Sequence, residues 1–275
     1  MHKRFYINGL RSGNLEKNML TIQIPKFQVE YLKNRKYAWS NKVGKENLKE
    51  ILSSASKGYC MYCYRRIVID GQNFGHLEHS IEKDNSINKL TDCIPNISIS
   101  CSSCNTSLKK KGEKGRKLSK TLISEFEQKK CTENCTSPCR EYEMLKSKYI
   151  QNKEAQIILQ PSGVKGFDTG EEMQLEYDIL DAEFRPSTKY LYSEMEMEFM
   201  KSHIIRFRLN EKHQKTRQLI SFLEDTINND GRYTTMEYNH LIVELFVEKL
   251  QGKTKEEVLK ICTALYEFSV MKFYI

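Results

Sequence analysis

Two pairs of closely spaced cysteines are candidate metal ligands: Cys60 with Cys63, and Cys101 with Cys104. Each pair has the Cys-x-x-Cys spacing, which presents two thiolates from one tight turn. Two such turns supply the four sulfur ligands of a tetrahedral zinc ion and leave no position open for a substrate. The spacing therefore predicts a closed, structural zinc site, and four ordinary buried cysteines are the alternative.

The segment between the two pairs contains side chains suited to phosphodiester hydrolysis. Glu78 and His79 are adjacent, and Asn96 and Asn105 follow further along the chain. A histidine titrates near neutral pH and can take a proton from an attacking water, so His79 is the predicted general base. Carboxylate and amide oxygens are hard ligands, so Glu78 and Asn105 are predicted to bind a catalytic Mg²⁺ or Mn²⁺.

The alternation of side chains along a strand complicates this assignment. In a regular strand, residues 76 and 78 lie on one face and residue 79 lies on the other. Glu78 and His79 can therefore serve one site only if the strand ends or bulges there. His76 is a rival histidine, for which a structural or supporting role is preferred and the exact role stays open. Asn96 has the alternative of being an ordinary turn residue after Pro95.

Residues 58–112 resemble the HNH endonuclease family, also called ββα-metal or His-Me finger nucleases. Glu78-His79 matches the acid-histidine pair of that family, Asn96 matches its central asparagine, and Asn105, directly after Cys104, matches its last position. The resemblance implies a β-hairpin followed by a helix around one divalent metal. It also implies that Asn96 holds the histidine loop in shape.

One departure from the common pattern and two matches point to a branch of this family. Many members have Pro and Gly-Gly after the histidine, whereas this chain has Ser80, Ile81, Glu82 and Asp84. Anti-phage members have roughly an acid-His-x-x-Pro-Lys pattern, in which Glu82 replaces the Pro and Lys83 matches. The stretch 207–210 (Phe-Arg-Leu-Asn) followed by Arg217 is similar to one in Septu-type and retron HNH effectors. The resemblance implies an anti-phage nuclease that acts with an ABC/SMC-like ATPase.

Positive charge is concentrated in the first half of the chain. Residues 1–150 contain 28 basic and 15 acidic residues, whereas residues 151–275 contain 16 and 21. Lysines that follow Asn105 can neutralise phosphates, which gives sequence-independent binding to a nucleic acid. These lysines do not distinguish DNA from RNA, and DNA is the expected polymer. A solvated charged face is the alternative. The predicted nucleic-acid contacts are Lys83, Lys109, Lys110, Lys111, Lys114, Arg116 and Lys117.

The pattern of elements predicts an α+β fold. It comprises a lead-in with a helix at 1–57, a nuclease domain with a basic and cysteine-rich extension at 58–150, and a mainly helical region at 151–275. The last region is assigned to assembly, with a partner protein or with a second copy. Arg65–Asp70 and Gly75–Ile81 are predicted to pair as a hairpin.

Further elements are predicted from periodicity and capping residues. Asn210 is expected to cap a helix, and Thr254 with Glu257 forms a capping-box pattern. The predicted helices are Lys45–Lys57, Lys117–Lys130, Cys139–Tyr149, Glu211–Asn228 and Thr235–Leu250, with a helix starting near Ser102, and the predicted strands include Gln156–Gln160 and Met173–Phe184.

Three more cysteines, Cys131, Cys135 and Cys139, follow one another at four-residue intervals. A second zinc ion would need a fourth ligand, for which Cys93 or a histidine is available. Buried or free thiols are the alternative.

Several classes of protein are excluded by composition. No apolar run is long enough to cross a membrane, and no export signal is evident, so a cytoplasmic location is expected. The nine cysteines are an odd number, which favours metal binding over a disulfide scaffold. The combined prediction is a metal-dependent HNH endonuclease with a structural zinc. The alternatives are a non-catalytic zinc-finger module that binds nucleic acid, and a nuclease of a mobile element or toxin.

Overall fold

The computed structural model describes residues 19–85, 88–128, 135–211, 215–234 and 238–273. The chain divides into two compact units: one contains residues 19–24, Leu175–Arg185 and 210–273, and the other contains residues 25–174 and 186–209. The fold is mixed α+β with small sheets, as predicted at that level. Among the described residues, no helix combines the length and the apolar character needed to span a bilayer.

The strands are short and are numbered in chain order. They are β1 (Thr21–Gln23), β2 (Val68–Ile69), β3 (Gln72–Asn73), β4 (His76–His79), β5 (Ile97–Ser100), β6 (Leu175–Asp178) and β7 (Glu183–Pro186). The helices are α1 (Lys42–Ala55), α2 (Asn88–Thr91), α3 (Lys120–Gln128), α4 (Arg140–Ile150), α5 (Glu194–Arg206), α6 (Lys215–Asn228), α7 (Leu241–Leu250) and α8 (Lys255–Phe273).

Strand pairing in the larger unit differs from the predicted hairpin. β2 pairs with β3 across a two-residue turn at Asp70 and Gly71, both of which have positive φ, at 48° and 74°. An Asp-Gly pair with both φ values positive is typical of the type I′ turn that closes tight hairpins. β4 pairs instead with β5, which lies after a long connection in the sequence. Because β2 and β3 pair with each other across this tight turn, β4 pairs with a strand that is distant in the sequence.

Helix α1 begins three residues before its predicted start because Asn41 caps it. The Asn41 side chain accepts a hydrogen bond from the Gly44 backbone N–H at 2.7 Å. Leu48 and Leu52 are buried on the inner face. A Cβ atom added at Gly44 would lie 2.6 Å from the backbone nitrogen of Ala38, so a side chain there would push the incoming segment away.

The chain after β5 becomes helical at Ser102, close to the predicted start, and then widens. Cys104–Leu108 forms a π-helical turn, in which the Lys109 backbone N–H donates to the Cys104 carbonyl at 3.0 Å. A π-helical turn holds one more residue than an α-helical turn, and such turns are frequent at functional sites. The extra residue changes the direction in which Lys109 leaves the helix.

Several other predicted bounds shift. Helix α4 follows Cys139, which is its N-cap, and α7 begins only after His240. Gln156–Gln160 is not a strand, and Met173–Phe184 is divided between β6 and β7. Within the predicted helix Lys117–Lys130, the structure has α3 at Lys120–Gln128. Residues 129 and 130 of the prediction lie outside the described residues.

The smaller unit contains a sheet with strand order β1-β6-β7 and helices α6, α7 and α8. The predicted capping box before α8 is confirmed, since the Thr254 backbone N–H donates to the Glu257 carboxylate at 2.7 Å and the Glu257 N–H donates to the Thr254 hydroxyl at 3.3 Å. Asn210 has a different role from the predicted cap, because its side chain bonds to both the backbone N–H and the carbonyl of Phe184.

Candidate metal centre and adjoining hairpin

The four predicted zinc ligands meet at one point. Cys60 and Cys63 lie in a turn that the Tyr64 N–H closes onto the Cys60 carbonyl at 2.9 Å, whereas Cys101 and Cys104 follow β5. Their sulfur atoms all lie within 4.8 Å of one another, and those of Cys63 and Cys101 are 3.6 Å apart. Tetrahedral zinc with bonds of about 2.3 Å requires sulfurs about 3.8 Å apart. The cluster therefore fits a structural metal such as zinc.

The thiols of this cluster differ in how readily they lose a proton. Hydrogen bonds from Cys104 and Cys60 lower the pKa of the Cys101 thiol. Burial raises the pKa of the Cys60 thiol, a penalty that a bound cation would reverse. The Met61 backbone N–H also donates to the Ile99 carbonyl at 3.1 Å. A metal at this cluster would therefore link the cysteine turn to the end of β5.

His79 is the last residue of β4, opposite Ile97, and only 7% of its surface is exposed. Its Nε2 atom lies 3.0 Å from the Thr91 carbonyl oxygen, and its ring centroid lies 4.2 Å from that of Trp39. Because a carbonyl only accepts, Nε2 must carry the proton, and Nδ1 then has the lone pair. Burial lowers the pKa of His79, which favours this neutral form.

Glu78 is buried and its carboxylate is fully engaged. The hydroxyls of Tyr62 and Ser98 both donate to Oε1, and the Lys109 ammonium lies 2.6 Å from Oε2. Three donors from the protein therefore occupy the oxygens that were predicted to bind Mg²⁺ or Mn²⁺. In this arrangement a divalent cation at Oε2 would compete with the Lys109 ammonium for Glu78.

Lys109 connects the Glu78 carboxylate to the backbone of His79. The ammonium also donates to the His79 carbonyl oxygen and lies 3.9 Å from Glu82 Oε1. Lys109 is 5% exposed, so these contacts take place away from bulk water. An ammonium in this position carries the positive charge that the sequence assigned to a catalytic metal.

A second buried carboxylate, Glu82, continues this network. Arg116 donates to Glu82 Oε1 through Nη2 at 2.6 Å and Nε at 3.1 Å, and the Tyr149 hydroxyl donates to Oε2 at 2.6 Å. Arg116 also donates to the Lys109 carbonyl at 2.7 Å. Sequence reasoning missed this network, although a glutamate in place of the expected proline was a signal for it.

Asn96 fixes the backbone just beyond His79. Its Oδ1 accepts from the Ile81 N–H at 2.8 Å, and its Nδ2 donates to the Ile81 carbonyl at 3.0 Å. The Ser80 N–H donates to the Asn96 carbonyl at 2.7 Å, and the Tyr142 hydroxyl donates to Asn96 Oδ1 at 3.2 Å. A fully buried asparagine that pairs with both backbone groups of one residue determines the path of the chain there.

Asn105 lies in the π-helical turn and is half-buried. Its backbone N–H donates to the Cys101 carbonyl at 3.0 Å. Within the described ranges, no hydrogen bond joins the Asn105 side chain to Glu78 or His79. His76, the rival histidine, is exposed at the start of β4.

The predicted nucleic-acid contacts separate into two groups. Lys109 and Arg116 are buried and face the protein's own carboxylates, so they are not available to phosphates in this structure. The charge count along the sequence could not distinguish them from surface lysines. The exposed members are Lys83, Lys110, Lys111, Lys114 and Lys117.

Comparison with known proteins gives no relative: no family model, no curated protein and no solved structure matches this chain.

Proposed function

We propose that this protein is a metal-dependent nuclease of the HNH type that hydrolyses phosphodiester bonds in nucleic acid, with His79 as the general base. The observation that carries the proposal is the contact between His79 Nε2 and the Thr91 carbonyl. A general base must be neutral and correctly oriented; burial favours the neutral form of His79, and this hydrogen bond orients its ring. It leaves Nδ1 as the atom that accepts the proton of an attacking water.

The surroundings of His79 support the same role. The ring packs on Trp39, and Asn96 holds the residues that follow. Water activation needs a base whose ring does not rotate between tautomers or rotamers. The buried polar residues around the end of β4 serve that purpose.

A divalent cation enters the proposal through Asn105 and the substrate. When bound, Mg²⁺ or Mn²⁺ would stabilise negative charge that develops on the phosphate and on the leaving oxygen. Asn105 offers an amide oxygen, and phosphate oxygens of the substrate offer further ligands. Glu78 would join them only after Lys109 leaves its carboxylate.

The exposed lysines around this segment are proposed to bind the phosphate backbone, with DNA as the favoured polymer. Lys110, Lys111 and Lys114 follow the π-helical turn that carries Asn105, and Lys83 follows His79 by four residues. Contacts of this kind give affinity without sequence preference.

The cellular role is proposed from the sequence resemblance alone. We infer an anti-phage effector that acts in the cytoplasm with an ABC/SMC-like ATPase. Co-purification with the product of a neighbouring gene tests this part, and an ATPase-independent nuclease of a mobile element or toxin is the competing outcome.

A second candidate function rests on a specific observation. The buried ion pair with Lys109 already gives Glu78 a countercharge, so a non-catalytic zinc-finger module would need no divalent cation at this carboxylate. Such a module would bind nucleic acid through its surface lysines and leave it intact.

Cleavage assays separate the two candidates. The purified zinc-loaded protein is incubated with plasmid DNA, single-stranded DNA and RNA, with and without added Mg²⁺ or Mn²⁺. Omission of the cation is preferred to EDTA, which would also remove zinc. The nuclease proposal expects cation-dependent cleavage that His79→Ala abolishes and that His76→Ala, a change at the exposed histidine of the same strand, preserves. Binding without cleavage under every condition supports the zinc-finger module, and full activity of His79→Ala excludes the proposed base.

A further inference from the structure

Three cysteines outside the zinc cluster line one cavity. Cys93, Cys135 and Cys139 all face a space of about 530 Å³, and each is half-buried and in the reduced form. They come from two distant parts of the chain, since Cys93 precedes the turn that carries Asn96 whereas Cys135 and Cys139 precede α4. The fold therefore brings together thiols that the sequence separates by more than forty residues.

We propose that Cys93, Cys135 and Cys139 form a second metal site, which binds zinc or a similar thiophilic cation. Thiolates are the preferred ligands of such cations, and three of them around one space provide most of a tetrahedral set. Within the described ranges, only the Cys60 cluster has its sulfurs within 4.8 Å of one another. The ion would therefore draw the three thiols of the second site closer together.

The sulfur of Cys139 has a fixed position beside the cavity. It caps α4 and accepts from the Tyr142 N–H at 3.4 Å. Lys36 and Lys89 also line the cavity. Each cysteine that coordinates the ion would release one proton to solvent.

The cavity also limits which groups complete the ligand set. Asp92 is the carboxylate that lines it, but its Oδ1 already accepts the backbone N–H groups of Trp39 at 2.6 Å and Ser40 at 2.9 Å. Cys131 lies outside the described residues. The proposal therefore assigns three ligands and leaves the fourth position to a further donor.

A metal at this second site would hold the turn that precedes β5 in place. Cys93 is directly followed by the turn Ile94–Asn96, and Tyr142 of α4 donates to Asn96 Oδ1. An ion held by Cys93 and Cys139 would fix α4 to this turn. The second site would then stabilise the same loop that follows His79, whether or not the protein is a nuclease.

Metal stoichiometry tests the proposal. The full-length chain is prepared with zinc under reducing conditions and weighed by native mass spectrometry. We expect two zinc ions per chain in the wild-type protein and one in each of Cys93→Ser, Cys139→Ser and Cys60→Ser. The matched control is Cys262→Ser, a buried cysteine in α8, which should retain two. Serine is a good N-cap, so Cys139→Ser should keep α4 intact.

Other results would overturn the second site. One zinc ion in the wild-type protein, with no loss on substitution of Cys93 or Cys139, would show that the three thiols bind no metal. A mass deficit of one disulfide in the protein as isolated, before any reductant is added, would show a redox pair instead. Titration of the wild-type protein with Cd²⁺ gives an independent count, because sulfur-to-metal charge-transfer absorbance should saturate at two ions, and saturation at one contradicts the proposal.

Discussion

The Lys109 ammonium lies 2.6 Å from the Glu78 carboxylate, and both side chains are buried. A carboxylate at the end of a β-strand beside a histidine is a natural place for a divalent cation, yet in this structure a lysine provides the countercharge. The stability of this ion pair therefore determines whether Glu78 can bind a metal or serves only as the partner of Lys109. Its two members can be tested separately.

Replacement of Lys109 by methionine should destabilise the protein strongly. Lys109→Met leaves the Glu78 charge buried and uncompensated, which costs about 3–5 kcal/mol of unfolding free energy. The double variant Lys109→Met/Glu78→Gln should recover most of this loss. Chemical unfolding of the zinc-loaded proteins measures the effect, and Lys110→Met, at the exposed neighbour, should change stability by less than about 0.5 kcal/mol.

Added Mg²⁺ extends this experiment. If Glu78 can bind a divalent cation once Lys109 is gone, millimolar Mg²⁺ should stabilise Lys109→Met but not the double variant. Equal responses of the two variants would mean that Glu78 is only the partner of a lysine.

Loss of the proposed zinc should weaken the pairing of β4 with β5. Cys101→Ser removes one of the four candidate sulfur ligands, and because metal binding is coupled to folding, we expect the free energy of unfolding to fall by about 5 kcal/mol. Hydrogen exchange of the β4 and β5 amides, together with zinc content, gives the readout. Unchanged protection of these amides after zinc loss would show that the pairing of β4 with β5 does not need the metal.

His203 should make stability depend on pH. It is fully buried, its Nδ1 accepts the Ile158 N–H at 3.0 Å, and burial together with Arg206 lowers its pKa to about 3. The unfolded chain, with an ordinary pKa near 6.5, binds a proton that the folded state excludes, so stability falls as the pH falls below about 6.5. The loss should reach about 2 kcal/mol between pH 7 and pH 5.

The variant His203→Gln isolates this contribution. Its side-chain oxygen can accept the same N–H and does not titrate, so the stability difference from wild type should shrink as the pH falls from 7 to 5. His76→Gln, at an exposed histidine, should follow the wild-type pH profile. Parallel profiles of wild type and His203→Gln would refute the assignment.

If the protein binds nucleic acid as proposed, the exposed lysines should control the salt dependence of that binding. Lys110→Ala/Lys114→Ala removes two exposed charges, and the slope of log K against log salt concentration should decrease by about 0.9 for each phosphate that the variant no longer neutralises. Anisotropy of a labelled duplex over a range of salt concentrations measures the slope. Lys201→Ala, an exposed lysine of α5, is the control, and an unchanged slope in the double variant would place the phosphate-binding residues elsewhere.

The sequence predicted the local parts of the candidate site and missed the long-range ones. The Cys60 and Cys101 pairs could be recognised because a Cys-x-x-Cys turn is determined by residues adjacent in the chain. The partner of β4 was mispredicted, because β5 lies eighteen residues beyond His79 and only the folded chain brings them together. Alternation along β4 predicted that Glu78 and His79 point to opposite faces unless the strand ends or bulges there.

Buried charge was the other feature that the sequence could not reveal. Composition counts Lys109 and Arg116 together with Lys110 and Lys114, and nothing in a run of basic residues shows which members meet Glu78 and Glu82. Which of these basic residues is buried depends on the path of the backbone after Cys104, which includes an extra residue in one helical turn. Propensity does not predict such a turn.

Because of that π-helical turn, three consecutive lysines lie in different environments. Lys109 points inward to Glu78, while Lys110 and Lys111 remain in solvent. A deletion of one residue within Cys104–Leu108 would preserve every lysine and still shift the inward position to the next one along. The environment of each lysine in this run therefore depends on how many residues separate it from Cys104. A change in the length of that segment would exchange the buried lysine for its neighbour, which no single substitution in the run can do.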